Sequence, residues 1–133
     1  MRGSCLCGQV QYEVKELASA IAHCSCRTCR KAHAAAFNTA ATVKSEHFKW
    51  LSGEQLLKAF ESSPGKHRFF CSHCGSQLIK KVVGRDSVVL RVATLDDDPH
   101  QAPEFRTWAS HEVPWLRYDS DIVAYPQWEP GHT

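Results

Sequence analysis

A chain of 133 residues is long enough for one hydrophobic core and too short for two independent ones, which points to a single domain over residues 1–133. Hydrophobic residues at 43% and charged residues at 23% exclude the polar, highly charged composition of a disordered chain. Sixteen Lys and Arg against fourteen Asp and Glu leave a formal charge of +2 with no basic stripe, so nucleic acid is not the expected partner.

Met1-Arg2-Gly3-Ser4-Cys5 leads into an alternating polar segment without the apolar region of a secretory signal, and no apolar run approaches the ~18 residues of a membrane span. A soluble, cytoplasmic chain with no membrane partner is expected. Val10, Tyr12 and Val14 alternate with Gln11, Glu13 and Lys15, the period-2 pattern of a half-buried strand. Residues 18–23 and 34–43 lack a helical stripe and are expected to be extended, and Phe48, Trp50 and the Ser52-Gly53 turn mark another short strand. Local propensity favours helix over Glu54 to Phe60. The turn signal Ser62-Ser63-Pro64-Gly65 favours instead a hairpin in which residues 66–70 return beside 56–61.

Gln77 to Val83, Gly84-Arg85-Asp86, and Ser87 to Val92 form the clearest hairpin, rich in Val, Leu and Ile on either side of a glycine-containing turn. Asp96-Asp97-Asp98-Pro99 reads as a solvated turn. The remainder is aromatic and punctuated by proline: Phe105, Trp108, Trp115, Tyr118, Tyr125 and Trp128. Core packing is the expected role of these rings; the alternative is contact of Trp108, Trp115 and Trp128 with another protein or with a second copy in a homodimer. The sum is a mainly β domain of short strands, with helix confined to a turn or two.

Seven cysteines, an odd number, make a disulfide framework a poor expectation. They fall into three groups: Cys5/Cys7, Cys24/Cys26/Cys29 and Cys71/Cys74. A tetrahedral structural zinc needs four ligands, and two short cysteine pairs from distant parts of a chain supply them with little strain. The doublets Cys5/Cys7 and Cys71/Cys74 provide that closed site, with Gly75 allowing a tight knuckle. Buried cysteines acting as small hydrophobes, or a redox-active CxxC, are the alternatives.

The triplet leaves one coordination position for water or substrate, the pattern of a catalytic zinc, and three soft thiolates suit a thiol as the further ligand. Such a site would also lose its metal readily. Arg27, Arg30 and Lys31 lie within and just after the triplet, where they would offset its negative charge and attract an anionic substrate. Two other assignments stay open here: a histidine (His23, His33 or His73) closing the triplet into a second structural site, and a thiol switch within CxCxxC. His47, His67, His100 and His111 are expected at the surface. No side chain stands out as a general acid or base.

The run from Gly3 to Val10, His23-Cys24-Ser25-Cys26-Arg27-Thr28-Cys29-Arg30-Lys31, Ser62-Ser63-Pro64-Gly65 and Phe70-Cys71-Ser72-His73-Cys74-Gly75-Ser76 resembles the glutathione-dependent formaldehyde-activating enzyme family, which includes centromere protein V. Thr94-Leu95-Asp96-Asp97 and Pro114-Trp115 extend the likeness, so it spans Gly3 to Trp115. The resemblance implies several small coiled antiparallel sheets around zinc knuckles, related to the fold of methionine sulfoxide reductase B. It further implies a structural zinc at Cys5, Cys7, Cys71 and Cys74 and a second zinc at Cys24, Cys26 and Cys29. The implied activity is that of a carbon–sulfur lyase, condensing glutathione or a similar small thiol with an aldehyde such as formaldehyde. A non-enzymatic zinc-stabilised binding module is the competing expectation. Position 25 is Ser where relatives often carry His, and His111-Glu112-Val113 replaces the Ser-Lys-Ala that commonly precedes Pro-Trp.

Overall fold

The computed structural model describes residues 1–117 and 122–132; Tyr118 lies outside them. Among the described residues ten strands make up two sheets, and the protein is mainly β. The smaller sheet joins β1 (Arg2–Ser4), β2 (Gln11–Val14) and β5 (Phe48–Ser52) in the order β1-β2-β5. The larger contains β3 (Ile21–Cys24), β4 (Asn38–Lys44), β6 (Leu57–Ser63), β7 (Lys66–Cys71), β8 (Gln77–Val82), β9 (Ser87–Arg91) and β10 (Pro103–Thr107). Its order is β10-β3-β4-β9-β8-β7-β6, antiparallel throughout except for the parallel pair β10 and β3.

The alternation read over residues 10–15 is real: Val10, Tyr12 and Val14 are fully buried while Gln11 faces solvent. They pack with Val43, Leu78, Ile79, Val88, Leu90, Cys5 and Cys71 in one core that draws on both sheets. Each fully buried aliphatic side chain contributes about 1.5–3 kcal/mol. Tyr12 adds a polar anchor. Its ring stacks on Phe48 with centroids 5.3 Å apart, and its hydroxyl lies 2.7 Å from Thr94 Oγ1. Thr94 spends its own hydroxyl proton on the Arg91 carbonyl at 2.8 Å, so Tyr12 is the donor between the two.

The two expectations for residues 54–60 divide between them. Glu54–Leu56 is a single 3-10 turn, after which Leu57 enters β6 and pairs with Cys71, Phe60 pairs with Arg68, and Ser63 with Lys66. Sheet pairing overrides local helix propensity because Ser72 N–H also bonds the Leu56 carbonyl at 2.8 Å, tying the start of β6 to the end of β7. The hairpin of β8 and β9 is as read, with Ile79 opposite Leu90. The α-helix among the described residues, α1 (Arg27–His33), is two turns long and begins within the cysteine triplet rather than at 54–60. Cys26 caps it, its sulfur accepting from the Cys29 N–H at 3.4 Å, and Ala34 ends it in the left-handed conformation at φ 48°.

The aromatic residues near the C-terminus correct the expectation of core packing. Trp108, Trp115 and Trp128 are 58%, 68% and 70% exposed, and Phe105 and Tyr125 are about half exposed. The reason is architectural: β10 is an edge strand whose side chains are exposed from Pro103 to Arg106, and beyond it the described residues supply no further strand to bury the rings against.

Gly3 marks the closest approach in the smaller sheet. It pairs across from Tyr12, and a Cβ there would run into the Tyr12 ring and the Thr94 carbonyl. Gly3→Ala is therefore expected to destabilise the fold by about 1–3 kcal/mol, read as a lower urea midpoint at unchanged slope. An unchanged midpoint would mean that β1 moves off Tyr12 without loss.

Candidate metal centres

The doublets expected to meet do so. Cys5 sits just after β1, Cys71 ends β7, and the loops that follow carry Cys7 and Cys74. All four sulfurs lie within 4.8 Å of one another, with Cys5 and Cys7 at 3.4 Å and Cys7 and Cys71 at 3.9 Å. Four thiolates at 2.3 Å from one tetrahedral ion stand about 3.8 Å apart, and a disulfide would need about 2.05 Å. The spacing is that of ligands around a shared ion, and all seven cysteines are free.

Local backbone shapes this pocket of sulfur. Cys5 N–H bonds the Val10 carbonyl at 3.0 Å, Val10 N–H returns to the Cys5 sulfur at 3.3 Å, and Gly75 N–H closes the second knuckle on the Cys71 carbonyl at 2.8 Å. Gly75 sits at φ 82°, which a residue with a Cβ resists. Ser76 bridges the two loops, its hydroxyl accepting from Leu6 N–H at 3.0 Å and lying 3.4 Å from the Cys74 sulfur. Burial opposes ionisation of Cys74, but the hydrogen bonds from Ser76 outweigh it and bring the thiol down to about 5.

The triplet also assembles. Cys24 ends β3, Cys26 caps α1 and Cys29 lies one turn into it, with their sulfurs within 4.8 Å. No histidine nitrogen joins this group among the described residues, so a site closed by His23, His33 or His73 is not what the fold builds. His23 instead places Nδ1 2.8 Å from Thr39 Oγ1 and its ring against Phe37, and His73 is exposed. Burial, which works against ionisation at Cys24, is outweighed by hydrogen bonds from Thr107 and Cys26, and the thiol is lowered. Burial and the neighbouring Cys26 push Cys29 up to about 11, against the pull of Arg68. The two clusters can hold metal ions, one with four ligands and one with three.

Around the triplet the expected basic residues part company. Arg30 turns back, its Nε donating to the Ser25 carbonyl at 3.1 Å. Arg27 and Lys31 line a cleft of about 550 Å³ together with Thr28, Phe60, Arg68, Phe70 and Gln77. Sequence reading missed two arginines that matter more. Arg68 on β7 and Arg91 on β9 are buried, at 5% and 4% exposure. Arg68 donates from Nε to Ser62 Oγ at 2.9 Å and approaches the Cys29 sulfur with Nη2 at 3.8 Å. Burial lowers Arg91 to about 10, helped by Arg68 and opposed by the three thiols. A single arginine closing the apolar run Ser87-Val88-Val89-Leu90-Arg91 was the available signal. Among the described residues no carboxylate pairs with Arg68, Arg91 or Lys80.

A mainly β protein carrying one cluster of four cysteine sulfurs and one of three, the smaller set beside buried cations, is the class that this geometry defines. The sequence model of the family described as glutathione-dependent formaldehyde-activating enzyme matches residues 1–111, and the chain belongs to that family. Among solved structures it is similar to a crystal structure of a Rhodobacter sphaeroides protein, a structural genomics target. Sequence identity is 25% and the TM-score 0.65, over 80% of this chain and 98% of that one. No curated protein matches the sequence. None of the helices among the described residues is long and apolar enough to cross a membrane.

His33, at the end of α1, reports on the charge of this region. Burial, followed by the positive charges of Arg91 and Arg68, lowers it to about 4. Because the folded value lies below the unfolded one, the ring is neutral through pH 5, and His33 costs the fold stability progressively as pH falls from about 6.5 toward 4. Its ring carbon and proton shifts in an NMR titration are expected to stay flat from pH 7 to pH 5. A midpoint near 6.5 would show that water reaches the ring and that an anion offsets the two arginines.

Proposed function

We propose that the chain, acting as one zinc-binding domain over residues 1–133, is a zinc-dependent enzyme of the carbon–sulfur lyase type. It joins a small thiol, glutathione or a similar molecule, to an aldehyde such as formaldehyde. The observation that carries this is the unequal pair of sulfur clusters, with the three-membered one beside a cationic cleft. Family membership supports glutathione as the class of thiol.

Cys5, Cys7, Cys71 and Cys74 would hold one zinc as a closed structural site, and Cys24, Cys26 and Cys29 a second with a position left for a ligand. Zinc at the triplet would supply a Lewis-acidic point that favours the thiolate form of an incoming thiol. Arg27 and Lys31 stand at the cleft where an anionic thiol enters, and Arg68 places positive charge against Cys29 so that a further sulfur is not repelled. Arg30 holds the base of α1 through Ser25 and positions the triplet. The addition itself is not a redox step. The sulfur–carbon bond forms, the carbonyl π bond opens, and the thiol proton ends on the former carbonyl oxygen. Free thiolates require a reducing compartment, and the cytoplasm fits.

Protein purified without chelator or oxygen is expected to contain two zinc ions, one per cluster. Cys29→Ser is expected to halve the metal content, leave the urea midpoint near that of the wild type, and lower thiol–aldehyde addition at least about 100-fold. Cys71→Ser is expected to abolish cooperative unfolding, because metal binding at a closed site is part of the folding free energy. A single zinc per chain, with the triplet thiols freely alkylated, would sink the enzyme reading in favour of a thiol switch or a binding module. With the wild type, millimolar glutathione is expected to shift NMR signals of residues 24–31. No shift up to tens of millimolar would count against a thiol substrate.

A further inference from the structure

We propose that the cavity bounded by the end of α1, the start of β4 and the loop entering β8 is a carboxylate-binding subsite with the Arg91 guanidinium as its receptor. The inference rests on the thiol-binding reading of Cys24, Cys26 and Cys29 only for what the carboxylate is attached to.

The cavity measures about 520 Å³, and its polar walls are His33, Asn38, Thr39, Ser76, Gln77, Arg91 and Thr94. Arg91 is 96% buried by its 4% exposure, and its Nε and Nη2 have no acceptor. Those two nitrogens form one edge of the guanidinium, the fork that matches both oxygens of a carboxylate. A buried cation with no counter-charge is strongly unfavourable, and Arg91 cannot shed its proton at neutral pH. An occupant that supplies the missing charge is the economical resolution.

The neighbouring arginine shows by contrast why Arg91 is the receptor. Arg68 has Nε on Ser62 and Nη2 on the Cys29 sulfur and keeps only Nη1 without a partner, whereas Arg91 has both nitrogens of one edge open. Three thiolates around a divalent ion would leave one net negative charge facing two buried guanidinium groups, so one positive charge is in surplus, and the open edge that can take a further anion belongs to Arg91. Gln77 lines both this cavity and the cleft beside Arg68, and its Oε1 is buried without a donor. A ligand whose sulfur lies at the triplet and whose carboxylate lies on Arg91 would pass Gln77 and offer it an N–H. The remaining wall, with Ala32, Ala34, Ala35, Phe37 and Ala93, accepts an aliphatic stem rather than a second charged group.

The site therefore selects small thiols that carry a carboxylate and an amide or amine N–H between acid and sulfur. The test titrates the zinc-loaded wild type, Arg91→Gln and Arg91→Lys with glutathione, glutathione diethyl ester, 2-mercaptoethanol, acetate and inorganic phosphate. Binding is read from NMR shifts, including the Arg91 Nε–H, with metal content and melting temperature measured alongside. The wild type is expected to bind glutathione at least about tenfold tighter than its diester, with Arg91→Gln erasing the difference and Arg91→Lys restoring part of it. Acetate is expected to move the Arg91 Nε–H signal, and Arg91→Gln to melt no lower than the wild type in acetate-free buffer, since it removes an unpaired charge.

Equal affinity of the wild type for glutathione and its diester would overturn the proposal. So would loss of zinc and a fall in melting temperature in Arg91→Gln, which would make the arginine a counter-charge to the thiolates. Tighter binding of phosphate than of acetate at Arg91 would overturn the carboxylate assignment. Acetate binding at Arg91 with no response to 2-mercaptoethanol would sustain the subsite while defeating the thiol reading.

Discussion

The meeting of Cys5, Cys7, Cys71 and Cys74 is the constraint on which the rest of the molecule hangs. Cys5 leaves the smaller sheet and Cys71 ends a strand of the larger one, so the four sulfurs clasp the two sheets at their shared core. Cys5 and Cys71 are themselves core residues, packed with Val10, Leu78 and Ile79. A chain of this size buries a modest apolar area. Sulfur ligands that bind an ion only when brought together add the cooperativity that so small a core lacks. The knuckle sits at the end of these pairings: Cys71 stands opposite Leu57 of β6, and Phe70 pairs with both Lys58 of β6 and Gln77 of β8.

Away from the clasp, positive charge is gathered in a partly buried setting around the triplet. The triplet occupies the junction of β3 and α1, and the strands that run beneath it deliver Arg68 from β7 and Arg91 from β9. Burial makes these interactions stronger than surface pairs and leaves little tolerance for an unmatched group. Burial, reinforced by the same arginines, keeps His33 neutral. Thr94 links this electrostatic centre to the apolar core, since it accepts from Tyr12 and donates to the carbonyl of Arg91. The polar site and the hydrophobic packing are therefore not independent parts.

What could be read without coordinates was whatever depended on residue type and short spacing. The grouping of the cysteines separated a set of four from a set of three because ligand geometry limits which thiols can share an ion. The alternation at Val10, Tyr12 and Val14 and the hairpin of β8 and β9 followed from the period of a pleated strand. Glu54 to Phe60 carried conflicting local signals, and pairing with β7 settled them. The aromatic residues from Phe105 to Trp128 were misread because hydrophobicity alone does not tell whether an edge strand will have anything stacked upon it. Arg30, grouped with Arg27 and Lys31 by proximity in sequence, donates to the Ser25 carbonyl and lines with Lys31 a cavity separate from the cleft that Arg27 and Lys31 share.

By itself, then, the sequence determined the inventory: mainly β structure, two sets of soft ligands, a family pattern, and a composition that folds. Those properties are local, set by side-chain chemistry and by spacings of a few residues. Tertiary structure decided which cations face the triplet, that no histidine joins it among the described residues, and that Arg68 and Arg91 are buried among thiols without a carboxylate. Strand order in one sheet sets positions 68 and 91, and the packing of α1 brings position 29 against Arg68; electrostatics acts over distances through space that no one-dimensional spacing records.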